Sequence, residues 1–216
     1  MKRLAAILIM ILALTFATHA AELSFSGDAT LVSTYVWRGI TQFNGAAMQG
    51  TAEVGYGVLA VGYWISTMQN EFAVETDPYI GVSLPTGPVE TSVGATLYSY
   101  DFFAHPEAQV YEIFASAGYG PVGVSFFYTP TQDEPGIEDA LYWIDISAGT
   151  SVLGADVSAT LSLGNYSAVS SEDSATNLLL SAGKSITDAV SVSWNWNIEL
   201  SDGPNNAFFM TAGYGF

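Results

Sequence analysis

The chain has 216 residues, of which 50% are hydrophobic and only 12% charged, and its formal net charge is −17 with no cysteine. A typical soluble domain carries about 25% charged residues, so this composition is unusually apolar. The acidic balance excludes nucleic acid as a partner, and the lack of cysteine excludes disulfides and thiolate metal sites.

The beginning of the chain has the pattern of a secretory signal peptide. A basic pair is followed by an apolar core, and small residues stand at Thr18 and Ala20, where a signal peptidase cleaves. The sequence therefore predicts residues 1–20 as a cleaved signal peptide and residues 21–216 as a single domain. An uncleaved anchor helix is the alternative, although the apolar run is shorter than the roughly 20 residues that span a bilayer.

The rest of the sequence alternates apolar and polar residues with a period of two. The clearest segments are Val190 to Leu200, Ala155 to Leu163 and Val122 to Tyr128. A helix with strict alternation would scatter its apolar groups around the whole cylinder, so these segments are predicted as strands. No later stretch approaches the 18 apolar residues of a membrane helix, whereas strands can present an apolar face to lipid.

Short and long connections alternate between the predicted strands. Five tight turns are predicted near residues 56–57, 85–88, 120–121, 153–154 and 187–188, with six longer polar loops between them. Short turns at one end and long loops at the other are typical of outer-membrane barrels. The sequence therefore predicts an all-β fold, a closed antiparallel up-and-down transmembrane β-barrel of twelve strands. Ten or fourteen strands remain compatible with the same pattern.

The C-terminal segment, FFMTAGYGF, also alternates. Phe208, Met210, Ala212, Tyr214 and Phe216 form one apolar face that ends on an aromatic residue. An ordinary half-buried strand is the alternative. An outer-membrane barrel accounts better for this pattern, since its outer face contacts lipid. We therefore expect the barrel-assembly machinery to recognise this strand, and outer-membrane lipids and lipopolysaccharide to surround the domain.

Acidic residues occupy strand positions that point away from the predicted lipid face. An unpaired buried carboxylate is unfavourable unless it is protonated, hydrated or bound to a cation, so we expect a bore that attracts cations. The candidate pore-lining residues are Asp28, Arg38, Glu53, Glu90, Glu112, Asp145, Asp156 and Glu199.

The two basic residues after the leader have different predicted places. Arg38 is expected at the outer end of the first strand, either as a constriction charge or as a tie that neutralises a neighbouring acid. Lys184 is expected on the lipid side. Acids such as Glu75 and Asp77 are assigned to the outer loops.

Large aromatic side chains share the inward register and could narrow the bore. They are Trp64, Phe114, Phe127, Trp143 and Phe209. Because a twelve-strand barrel is intermediate between filled and wide barrels, the sequence predicts either a narrow pore or a nearly closed interior.

The sequence offers little support for an enzyme. His19 would leave with the signal peptide, and His105 is predicted at the tip of an external loop. A hydrolytic serine needs a base that is itself held by a third group, so no catalytic, cofactor-binding or metal-binding residue is predicted.

The segment LVSTYVWRGITQFNGAAMQG resembles the opening strand and first loop of the TorF-type porin family, also called Gcw_chp. The segments TDPYIGVSL and EIFASAGYGPVGVSFFY are similar to its later strands. The resemblance implies a porin-like β-barrel in the outer membrane of a Gram-negative bacterium, without a cofactor.

Two functions are compatible with these observations. The first is a narrow porin for the passive, cation-preferring passage of small solutes. The second is a non-conducting surface or structural protein that acts in adhesion, as a receptor or in envelope integrity. An outer-membrane hydrolase is a minor third alternative.

Overall fold

The computed structural model describes residues 22–68, 74–100, 109–131, 140–165, 175–201 and 206–216. Over these residues the protein is all-β: twelve antiparallel strands close into a barrel, and two short strands form a separate hairpin. The predicted fold class and strand number are confirmed. The predicted signal peptide lies outside the described residues.

The strands are numbered in chain order, and the hairpin supplies β2 (Tyr35–Trp37) and β3 (Ile40–Phe43). The barrel strands are β1 (Leu23–Val32), β4 (Ala47–Tyr56), β5 (Leu59–Thr67), β6 (Val74–Thr86), β7 (Val89–Tyr100), β8 (Gln109–Tyr119), β9 (Val122–Thr129), β10 (Leu141–Val152), β11 (Ala155–Gly164), β12 (Ala175–Ser185), β13 (Val190–Glu199) and β14 (Ala207–Gly215). In the described part of the chain, no helix has the length and apolar character needed to cross a membrane.

The first and last strands close the barrel. β1 pairs with β14 on one side and with β4 on the other. The backbones of Gly27 and Phe216 exchange two hydrogen bonds, each 3.0 Å long. The terminal aromatic residue therefore belongs to the closing seam, which leaves no open edge between the first and last strands.

The two ends of the barrel differ in their connections. All five tight turns predicted from the sequence occur at one end, which we call the tight-turn end. Four of these turns contain a glycine with positive φ, a conformation that glycine adopts without strain: Gly57, Gly87, Gly120 and Gly154. The longer connections lie at the opposite end, which we call the long-loop end.

The outer surface is apolar. On β13, Trp194 and Trp196 are exposed, whereas Asn195 and Asn197, which alternate with them, are buried inside the barrel. Phe25 is 72% exposed and Phe208 is 64% exposed on the same outer surface. Water does not favour so large an apolar surface, whereas lipid does.

Two expectations about the first half of the chain are wrong. β1 ends at Val32, so Arg38 does not lie at the end of the first strand but at the turn of the β2–β3 hairpin. Glu75 and Asp77 lie within β6 and not in an outer loop, and both are buried. Their polarity suggested a loop, but the hairpin covers this part of the wall and supplies polar partners.

Candidate functional site: an acidic bore crossed by a hairpin

The β2–β3 hairpin leaves the wall between β1 and β4 and crosses the interior at the long-loop end. The ring of Trp37 lies edge-on to that of Tyr98 on β7, with centroids 5.6 Å apart. The carbonyl oxygen of Gly39 accepts a hydrogen bond from Nδ2 of Asn197 on β13 at 3.0 Å. The hairpin therefore reaches walls on both sides of the barrel and fills this half of the bore.

Two apolar clusters support the hairpin. Ile40 belongs to a buried cluster on the far wall that contains Leu141, Trp143 and Ala175. Near the base of the hairpin, Val32, Tyr35 and Ala47 form a second cluster, against which Trp64 packs. Packing of this kind is typical of a protein core and gives the hairpin a defined position.

The tip of the hairpin is a two-residue turn. Arg38 and Gly39 have φ values of 47° and 81°, so both lie in the left-handed region, as in the tight turns that suit hairpin twist. A Cβ atom on residue 39 would overlap the side-chain amide of Asn177. Glycine is therefore required here both by backbone conformation and by the close approach to β12.

Arg38 forms a buried ion pair inside the barrel. Its Nη1 and Nη2 atoms donate to the two carboxylate oxygens of Glu112 at 2.6 and 2.7 Å. The guanidinium also lies 3.9 Å from the ring centroid of Phe127. The two charged side chains are only 8% and 3% exposed. Of the two interpretations of Arg38, this geometry fits the neutralising tie.

Glu112 has further partners besides Arg38. The hydroxyl of Tyr98 donates to it at 2.9 Å, and that of Thr129 at 3.4 Å. The carboxylate thus accepts charge-assisted hydrogen bonds from three neighbouring side chains. Together these donors offset the free-energy cost of burying the charge, and the loss of any one of them would leave the burial under-compensated.

Glu75 and Asp77 lie beside this network. The hydroxyl of Tyr35 donates to Glu75 at 2.9 Å. Burial raises the pKa of Tyr35 above its usual range, and the neighbouring Glu75 carboxylate raises it further, so this phenol remains a donor. Oδ1 of Asp77 is buried and has no hydrogen-bond partner within the described residues.

The other predicted pore-lining acids lie on the inward face of their strands. Most accept a hydrogen bond from a nearby side chain: Thr30 to Asp28 at 3.1 Å, Tyr79 to Glu53 at 2.7 Å, Ser162 to Asp145 at 2.6 Å, Ser151 to Asp156 and Ser201 to Glu199. Glu90 borders a cavity at the tight-turn end. That these acids line a conducting pore stays a prediction.

That cavity has a volume of about 620 Å³ and lies against β6 to β9. Four serines line it and stand opposite one another on successive strands: Ser83, Ser92, Ser116 and Ser125. The hydroxyl oxygens of Ser92 and Ser116 are 2.7 Å apart. This half of the bore is lined by small polar groups and, in contrast to the long-loop half, is not filled by the hairpin.

The aromatic residues predicted to narrow the bore are only part of what closes it. Trp64 and Phe127 pack against the hairpin, and Trp143 is 1% exposed within the same packing. Sequence reasoning missed the hairpin itself. The signal was an Arg-Gly pair between two aromatic or β-branched segments, a pattern that suits a two-residue turn.

The described residues contain no group of three or more His, Asp or Glu side chains that could hold a metal ion. His105, the candidate base considered for a hydrolase, lies outside the described residues. The polar groups described in the bore are carboxylates, phenols, amides, hydroxyls and the guanidinium of Arg38.

Solved structures similar to this one are outer-membrane proteins. An outer membrane channel from Pseudomonas putida F1 is 10% identical, with a TM-score of 0.53 over 90% of this chain and 94% of that chain. A loop-deletion mutant of the outer membrane protein OmpT from Vibrio cholerae is 8% identical, with a TM-score of 0.46 over 92% and 100%. Outer membrane phospholipase A from Escherichia coli is 11% identical, with a TM-score of 0.43 over 91% and 98%.

At these identities the P. putida channel is informative about the fold alone, and the two likenesses with TM-scores below 0.5 carry no further information. No curated protein sequence matches the chain. The family model described as "Bacterial protein of unknown function (Gcw_chp)" matches residues 16–214. Because this match covers nearly the whole chain, the protein belongs to the Gcw_chp family.

Proposed function

We propose that this protein is a narrow porin of the Gram-negative outer membrane that passes small cations passively. The observation that carries the proposal is the charge of the bore. Nine carboxylates on the barrel strands share the inward register: Asp28, Glu53, Glu75, Asp77, Glu90, Glu112, Asp145, Asp156 and Glu199. The only basic residues in the described segments are Arg38, which is paired with Glu112, and Lys184, which is exposed on the outer register.

Such a bore concentrates cations and repels anions. A narrow, low-dielectric passage lined by one sign of charge focuses the electric field along its axis, and rings of acidic side chains favour cations in channels. The β2–β3 hairpin would set the narrowest point, since it occupies the long-loop half.

The membrane context forms part of the same proposal. The apolar outer surface would contact outer-membrane lipids and lipopolysaccharide, after export through the signal peptide. The barrel-assembly machinery would insert the domain through the strand that ends at Phe216. By the usual orientation of such barrels, the tight turns would face the periplasm and the hairpin would close the outer half. The proposal includes no catalytic activity.

A second candidate function follows from the hairpin. Its packing against the far wall, where Trp143 is 1% exposed, favours a non-conducting surface or structural protein if the hairpin never moves. The two candidates differ in whether ions cross the barrel.

Reconstitution in a planar bilayer separates them. A porin gives discrete conductance steps, and a salt gradient gives a reversal potential on the cation-selective side. Asp28→Asn and Asp145→Asn should each reduce that selectivity, because each removes an inward charge without removing volume. An absence of steps at every voltage, or a preference for anions, would contradict the proposal.

A further inference from the structure

Two neighbouring carboxylates on β6 stand apart from the rest of the bore. Glu75 is 2% exposed and Asp77 is 5% exposed, and both lie under the β2–β3 hairpin. They are two positions apart on one strand, so their side chains point to the same side of the sheet. The burial of two like charges this close together requires a compensating positive charge or a proton.

The protein supplies a compensating positive charge to the neighbouring Glu112 but not to Glu75 or Asp77. Arg38 forms a two-pronged contact with Glu112, which satisfies one carboxylate. The other basic residue of the described segments, Lys184, lies near the tight-turn end on the exposed outer face. The cluster formed by Glu75, Asp77, Glu112 and Arg38 therefore has two more negative than positive charges when all its members are ionised.

The hydrogen bonds show where the compensation is missing. Glu75 accepts a hydrogen bond from the hydroxyl of Tyr35 at 2.9 Å. Asp77 accepts a hydrogen bond from the backbone of Ser99, but its Oδ1 is buried without a partner in the described part of the chain. A buried carboxylate oxygen that accepts nothing is strongly unfavourable, and an exchangeable ligand with positive charge would remove the penalty.

We propose that Asp77, together with Glu75, binds a monovalent alkali cation beneath the hairpin. The binding site itself is inferred from this geometry. We further infer that it is the site at which the bore selects cations, and this second step rests on the proposed porin function. A calcium site takes six to eight oxygen ligands, usually with several carboxylates. Within the described residues no group of three or more acids is arranged to hold a metal ion, since Glu112 is already paired with Arg38, and two carboxylates suit a weakly held ion that can leave again.

The binding test uses the full-length barrel in detergent and Na⁺ as the probe. Sodium NMR relaxation in a titration should show a saturable site in the wild-type protein. Asp77→Asn keeps the volume and removes the charge, so it should abolish this site, and Glu75→Gln should weaken it. Asp188→Asn changes an exposed acid in the β12–β13 turn and is the matched control, which should bind like the wild type.

Three results would overturn the site: no saturable binding by the wild type, unchanged binding by a folded Asp77→Asn variant, or tighter binding of Mg²⁺ than of Na⁺. If Asp77→Asn does not form the heat-modifiable barrel band on an SDS gel, Glu75→Gln decides the test: weaker Na⁺ binding than in the wild type supports the site, and unchanged binding overturns it.

Bilayer recordings then separate the site from the porin proposal. The cation-over-anion permeability ratio should fall about twofold or more in Asp77→Asn and stay unchanged in Asp188→Asn. Saturable Na⁺ binding without any conductance would support the cation site and contradict the porin proposal. Cation-selective conductance without saturable Na⁺ binding would support the porin proposal and contradict the cation site.

Discussion

The two halves of the bore are built from the same twelve strands but are filled differently. In the long-loop half, Trp143 and Asn197 are each 1% exposed, and the β2–β3 hairpin packs between opposite walls. In the tight-turn half, four serines line an open cavity of about 620 Å³. Alternation along a strand thus tells which side chains face inward, but not whether they meet protein or water.

The difference has an energetic consequence. In the packed half, each polar group must find a partner, because no bulk water can replace one that is lost. The Arg38–Glu112 pair and the Tyr35–Glu75 hydrogen bond are examples. In the open half, water can substitute for a missing partner. Matched substitutions in the two halves should therefore differ in their effects.

Removal of the hairpin should give the largest effect. Replacing residues 35–43 with a short Gly-Ser linker would empty the long-loop half, so the single-channel conductance should rise several-fold in planar bilayers. Gly87→Asn at the tight-turn end keeps the two-residue turn between β6 and β7 and adds a side chain in open space, so it should leave the conductance near the wild-type value. Equal conductance in the hairpin deletion and the wild type would show that the hairpin does not limit ion flow.

Loss of the buried ion pair should destabilise the barrel strongly. Arg38→Gln leaves Glu112 buried without its counter-charge, which should lower the free energy of unfolding by about 3 kcal/mol. Urea unfolding in the presence of lipid vesicles measures this change. The double variant with Glu112→Gln should recover part of the loss, because it removes the unpaired charge; a double variant as unstable as the single one would contradict the pairing.

The two glycine turns provide a smaller contrast. Gly39→Ala and Gly87→Ala both place a side chain at positive φ, which costs about 1 kcal/mol or more each. Only residue 39 also meets a neighbour, the amide of Asn177, whereas residue 87 has open space around it. Urea unfolding should therefore show the larger loss for Gly39→Ala, and channel recordings should show altered conductance for that variant alone.

The smallest difference between the two halves should come from single hydroxyl groups. Tyr35→Phe removes the donor to Glu75 in the packed half and should cost about 1.5 kcal/mol. Tyr79→Phe removes the donor to Glu53, but this site is less buried, so its loss should be smaller. Identical losses in urea unfolding would argue against a dry long-loop half.

The contribution of Tyr35 should also depend on pH. Its folded-state pKa is raised above the ordinary value of about 10, so the contribution is fully present below that pH. Above it, the unfolded phenol ionises first, and the stability difference between wild type and Tyr35→Phe should shrink. A difference that grows with alkaline pH would contradict a buried neutral phenol.

Much of the barrel could be predicted from the sequence because strand alternation and tight turns are local. The segment Val190 to Leu200 was predicted as a strand, and β13 covers Val190–Glu199. The turns at Gly57 and Gly154 follow from short-range backbone preferences. The face of each strand that meets lipid is likewise fixed by residues two positions apart.

The filling of the bore was decided by tertiary structure. Arg38 and Glu112 are 74 positions apart in the chain, and Gly39 and Asn197 are 158 apart. No local pattern relates such pairs, and the inward path of the hairpin exists only once the opposite walls are in place. The sequence by itself determined a closed antiparallel barrel with an apolar exterior and acidic side chains on the inward register, and it favoured twelve strands over ten or fourteen. Only the closed barrel decided that one half of this interior is packed, since that packing depends on contacts between residues far apart in the chain.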